Sequence, residues 1–183
     1  MKKFLLILIS SLILSSCSTN SKYTQSFEPV SCSSIAKQAA SNVPVLNIEL
    51  PCTDGKSSIV LNEVRGPAIV NAWASWCDPC KQEIPLFNQI AKIQNKTFQV
   101  IGINVEERNR NEGKNFAERM GMHWPQLYDQ NGITKSLFGL GIPTTIFINE
   151  QGEIVYKKMG KFESLNDLKK CIYKYLPAEK IRN

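Results

Sequence analysis

The stretch Trp73-Ala-Ser-Trp-Cys-Asp-Pro-Cys80 sets Cys77 and Cys80 with only Asp78 and Pro79 between them. Thiols at this spacing suit a two-step exchange. One thiolate attacks a disulfide, and the second, one helical turn on, displaces it from the mixed disulfide. The residues just before, 67–74 (PAIVNAWA), form a near-continuous apolar run of the kind that makes a central strand covered on both faces. Residues 79–94 carry apolar side chains at helical spacing. Cys77 therefore falls at a strand-to-helix junction, where open N–H groups and the helix dipole favour a thiolate. Pro79 suits the first turn, whose N–H groups have no partner within the helix. Asp78 opposes the same thiolate, which favours a reducing over an oxidising pair. A structural zinc site would need a second ligand pair. The chain has no second C-x-x-C and one histidine, His123, in an expected loop, so no metal is expected.

The elements that must hold this pair read as follows. VLNIEL and SSIVL flank the turn at 53–56 and form a hairpin. The helix over 79–94 turns Ile84, Phe87, Ile90, Ala91 and Ile93 inward, with Pro85 kinking it. A second buried strand covers 97–105, an amphipathic helix 111–120 and a short helix 131–138. TTIFIN and EIVYKKM make a strand pair around 150–152, and a last helix covers 164–176. This succession predicts an α/β fold with one central sheet. A length of 183 residues suits one domain. The net charge of +6 is mild, and no Lys/Arg stripe interleaves with aromatics, so no nucleic-acid partner is expected.

Residues 1–16 begin with Lys2 and Lys3, continue through an apolar stretch over 4–14 and end in small residues before Cys17. The stretch is too short for a membrane span and has the layout of a secretory signal peptide. Leu14-Ser15-Ser16-Cys17 resembles the lipobox of bacterial lipoproteins, which implies a lipid on Cys17 and a membrane anchor. The expected organisation is a leader at 1–16, the lipidated cysteine with a tether and N-terminal extension at 17–42, and one domain at 43–178. Outside the cytoplasm disulfides persist. Cys32 and Cys52, which flank the first strand, are then expected to form a structural disulfide, with an electron relay to Cys77 and Cys80 as the sharper alternative. Cys171, in step with the apolar side of the last helix, is expected to be a buried, inert thiol.

W-C-x-P-C after an apolar strand, with Gly141-Ile142-Pro143-Thr144-Thr145 about sixty residues on, resembles the thioredoxin superfamily. More narrowly, WASWCDPCKQEIP and the insertion over 106–141 are similar to its TlpA/ResA-type membrane-anchored, extracytoplasmic branch. The resemblance spans about 43–176. It implies a thioredoxin-like fold: a central mixed sheet flanked by helices, with an N-terminal hairpin and a central helical insertion. It also implies a cis bond before Pro143, and Trp76, Ile142 and Pro143 at a substrate-binding surface. Glu83 would lie beneath the disulfide as a proton-handling group, its pKa raised by burial. The implied activity is thiol–disulfide exchange with no bound cofactor. It would keep secreted proteins such as apocytochrome c reduced, with electrons from a membrane thiol donor. A disulfide-donating oxidase and a copper- or haem-carrying thioredoxin-fold chaperone remain alternatives. A peroxidase is disfavoured, because that relative uses a lone attacking cysteine in a different loop.

Overall fold

A computed structural model describes residues 30–40, 46–93 and 97–176; the expected leader, Cys17 and the tether up to residue 29 lie outside the described residues. The hairpin is present as β1 (Glu49–Pro51) paired antiparallel with β2 (Ser58–Val60). There follow β3 (Ala68–Trp73), α1 (Asp78–Ile93), β4 (Gln99–Val105), α2 (Arg110–Arg119), β5 (Gln126–Asp129), α3 (Lys135–Phe138), β6 (Thr144–Ile148), β7 (Ile154–Met159) and α4 (Leu165–Tyr175). The five later strands form one mixed sheet in the order β5-β4-β3-β6-β7. β3, β4 and β5 run parallel, while β6 runs antiparallel to both β3 and β7.

The apolar run becomes β3 because a central strand must hide both faces, and all six of its residues are buried. The crossovers β3-α1-β4 and β4-α2-β5 step the same way across the sheet. Right-handed crossovers then put both helices on one face. Asn71 accordingly meets Glu83 of α1, and Trp73 packs on Phe116 of α2 with ring centroids 5.4 Å apart. Phe147 continues this layer to Phe162 and to Tyr175 of α4. Two helices start on side-chain caps, Asn109 accepting from the Glu112 N–H and Ser164 from the Asp167 N–H. Among the described residues no helix is long and apolar enough to cross a membrane.

Two local expectations change. The insertion is not only helical, because 126–129 adds β5 to the sheet. Its polar residues are buried against specific partners. The Gln126 side-chain oxygen accepts from the Trp73 indole at 2.9 Å, and Asp129 accepts from the N–H groups of Ile133 and Thr134, each at 2.9 Å. Gly102 makes room for Gln126, since a Cβ there would lie 1.8 Å from Gln126 Oε1. Second, Ile93 at the end of α1, the helix that holds Pro85 within it, faces solvent instead of the core. A bridge between Cys52 and Leu127 also ties the hairpin to β5.

Candidate active site

Cys77 and Cys80 are joined, with an S–S distance of 2.04 Å and Cα atoms 5.3 Å apart. Cys77 caps α1: its carbonyl accepts the Lys81 N–H at 3.2 Å and its Sγ accepts the Cys80 N–H at 3.2 Å. The Cys77 N–H in turn donates to the Ala74 carbonyl at 3.2 Å, which closes a tight turn over 74–77. Reduced, the Cys77 sulfur would keep that N–H and the positive end of α1 beside it, both of which favour a thiolate. Cys77 is 5% exposed and Cys80 fully buried, so of the two Cys77 lies nearer the surface. Asp78 is less of an opponent than its position in the sequence suggests. Its side chain is 81% exposed and pairs with Lys81 Nζ at 2.7 Å, and this hydrogen bond and the ammonium charge hold its carboxyl below the usual carboxylate range.

Glu83 lies three residues past Cys80 on α1 and is fully buried. Burial pushes its carboxyl up to about 7. Three influences hold that rise back: the Phe162 N–H on Oε2 at 3.0 Å, the Asn71 side-chain amide on Oε1 at 2.8 Å, and the charges of Lys158 and Lys161. A carboxyl titrating near neutrality can take up and return a proton in the same cycle. Asn71 is a site residue that an apolar run conceals in the sequence, where its being the lone polar residue is the available signal. It also donates to Thr145 Oγ1 at 3.0 Å, while its own Oδ1 is buried with no partner.

Ala72 pairs with Thr144, so the turn leaving β3 toward Cys77 and the loop entering β6 through Pro143 emerge side by side. The Ile142–Pro143 bond is cis, as is Gly66–Pro67 at the start of β3. The Pro143 carbonyl accepts the Gly160 N–H at 2.9 Å, and the Thr144 hydroxyl donates to the Gly141 carbonyl at 2.7 Å. Ile142 is half-buried, Leu140 is 92% exposed and Trp76 is 55% exposed. The Trp76 indole N–H donates to the Glu106 carbonyl at 3.3 Å.

Cys32 and Cys52 are also joined, with Cα atoms 6.1 Å apart, and both are buried. Their enclosure suits a fixed cross-link. Cys171 is free and half-buried instead of fully enclosed, and burial pushes its thiol up. His123 is exposed on the turn entering the Trp124 segment.

Comparison with known proteins agrees with this geometry. The chain is 34% identical over 97 residues to the thiol-disulfide oxidoreductase ResA of Geobacillus thermodenitrificans, across 51% of this chain and 55% of that protein. It is 32% identical over 124 residues to the thiol:disulfide interchange protein DsbE of Pseudomonas fluorescens biotype C, across 67% and 68%. The chain thus spans only about half the length of the first of these relatives. The solved structure of a DsbE thiol:disulfide interchange protein from Chlorobium tepidum superposes with a TM-score of 0.64 at 26% identity, over 78% of this chain and 99% of that one. The fold is thioredoxin-like. A family match runs over residues 41–157, well over half of the sequence, and the chain belongs to the AhpC/TSA family.

Proposed function

We propose that the protein is a thiol–disulfide oxidoreductase of the extracytoplasmic space, anchored through a lipid on Cys17 after removal of residues 1–16. It reduces disulfides in secreted proteins, apocytochrome c among them, and a membrane thiol donor restores it. The observation that carries this reading is the placement of one approachable sulfur, Cys77, on the N-terminus of α1, with its partner Cys80 sealed behind it.

In the reducing cycle the Cys77 thiolate attacks a substrate disulfide, forming a Cys77–substrate bond and releasing one substrate thiolate. Glu83 accepts the Cys80 proton. The Cys80 thiolate then attacks the Cys77 sulfur, the second substrate thiolate leaves and the Cys77–Cys80 bond closes. Two electrons pass to the substrate, and its two thiolates take up protons, one of them returned by Glu83. Trp76, Ile142 and Pro143 bind the substrate polypeptide beside the sulfurs.

The test is equilibration of the Cys77–Cys80 pair with glutathione or dithiothreitol, the thiols being trapped and counted by mass spectrometry. A potential near or below about −200 mV supports a reductant. A value near about −120 mV would make the protein a disulfide donor instead. Failure to exchange with any dithiol or disulfide would overturn the oxidoreductase reading altogether.

A further inference from the structure

The loop after β4 reaches back to the cysteine turn with two successive residues. Glu106 is the one non-glycine among the described residues with positive φ, at 52°. Its N–H donates to the Asp129 carbonyl at 3.0 Å and its side chain pairs with Lys135 Nζ at 2.6 Å. This left-handed step aims the Glu106 carbonyl at the Trp76 indole and turns Glu107 inward, to 4% exposure. A left-handed residue costs free energy and persists only where surrounding structure holds it, most often near functional sites.

Glu107 buries a carboxylate, which is unfavourable unless its oxygens are hydrogen-bonded. Here the bonds go to the turn that presents Cys77. Oε1 accepts the Ser75 N–H at 2.5 Å and the Asn104 side-chain amide at 3.0 Å, and Oε2 accepts the Ser75 hydroxyl at 2.9 Å. Asn104 is itself fully buried, and α2 closes on it at Gly113, where a Cβ would lie 1.9 Å from Asn104 Oδ1. Ser75 and Trp76 are the two central residues of the turn that the Cys77 N–H closes onto Ala74. Both are therefore held from the Glu106–Glu107 loop.

We infer that Glu107 is a positioning residue for Cys77: through Ser75 it fixes the turn that seats the attacking sulfur on the N-terminus of α1. The consequence for catalysis rests on the exchange chemistry proposed above, but the placement can be read directly on the thiol.

The experiment measures alkylation of Cys77 by iodoacetamide in the reduced protein across pH, resolved by peptide mass spectrometry. Glu107→Gln and Glu107→Ala lose the same charge. Glutamine still accepts from the Ser75 N–H and from Asn104, and its amide can donate to the Ser75 oxygen, whereas alanine keeps none of these bonds. The difference between the two variants therefore reports placement alone. We expect Glu107→Ala to react about fivefold more slowly than Glu107→Gln near pH 7, the loss of roughly one capping interaction at a helix N-terminus, with a higher pH midpoint. Equal rates, or a faster alanine variant, would overturn the inference. Should Glu107→Ala not fold, Ser75→Ala carries the test: it keeps the Glu107 contacts to the Ser75 N–H and Asn104, and a rate equal to that of the unmodified protein overturns the inference. Loss of exchange on disulfide probes in the unmodified protein, with these alkylation differences intact, would defeat the proposed function and leave the role of Glu107 standing.

Discussion

Replacing Glu83 with glutamine should change how stability depends on pH. The Glu83 carboxyl titrates at about 7 in the folded protein against 4.5 for a freely solvated glutamate, the value taken for the unfolded chain. Between those values the folded chain keeps a proton that the unfolded chain has released, so raising the pH favours unfolding. Stability from this group is fully present below the unfolded value and is lost as pH rises through the folded one. A gap of about 2.5 pH units at about 1.36 kcal/mol each amounts to about 3 kcal/mol. Glutamine cannot ionise. Its oxygen still accepts one of the two present donors, the Asn71 amide or the Phe162 N–H, while the other loses its acceptor. The lost fit costs about 1 kcal/mol at any pH. Urea unfolding of the oxidised protein at pH 4.5 and pH 8 reads the effect as a difference between two proteins, in which every other titrating group cancels. Glu83→Gln should be slightly less stable at pH 4.5 and more stable at pH 8, the difference swinging by about 3 kcal/mol. Parallel pH curves for the two proteins would refute the reasoning.

Replacing both Cys32 and Cys52 with serine opens a cross-link of sequence separation 20 and should cost about 3 kcal/mol by loop closure, with exchange by the folded fraction unchanged. A loss below about 1 kcal/mol in denaturant, or a collapse of exchange in folded protein, would contradict that role. Gly113→Ala drives a methyl into Asn104 and should destabilise by about 1–3 kcal/mol, seen as a lower urea midpoint at unchanged slope. Lys81→Ala leaves the Asp78 charge without its ammonium partner, which disfavours the Cys77 thiolate. Glutathione equilibration should give a more negative potential, less so in high salt, and a rise would count against the argument.

What could be read from the sequence follows a physical division. The apolar run over 67–74 declares a central strand because both faces must be covered, and C-x-x-C at its end declares the chemistry. β5 could not be read this way. Gln126 and Asp129 look like surface residues until Trp73 and the 133–134 backbone, fixed by the fold, supply their partners. Glu107 was hidden for the same reason: in the run EERNRNE it is one charge among many, and only the approach of Ser75 and Asn104 makes it a buried acceptor. Glu83 was legible only through the family resemblance, its helical spacing alone reading as a solvated charge, and its polar setting was not legible at all, since Asn71 and the Phe162 N–H come from distant parts of the chain. Ile93 failed in the opposite sense. Its helical phase is that of a core residue, but it stands at the last position of α1, where the helix no longer covers the sheet.

The two margins of the sheet are guarded differently. An unoccupied margin offers free N–H and C=O groups as a template for a foreign strand. On β7 the side chains that point outward include Lys157, whose charge discourages such pairing. On β5 the margin is met by the hairpin, bridged from Cys52 to Leu127, and the bond to Cys32 fastens the preceding segment to it. Breaking that bond would loosen the latch over a strand whose four residues are all buried, so the reduced chain is the form most prone to self-association. A protein acting as proposed above would work among thiols and disulfides. With Cys32 and Cys52 enclosed more deeply than Cys77, the fold would let the working pair be reduced without loosening the hairpin.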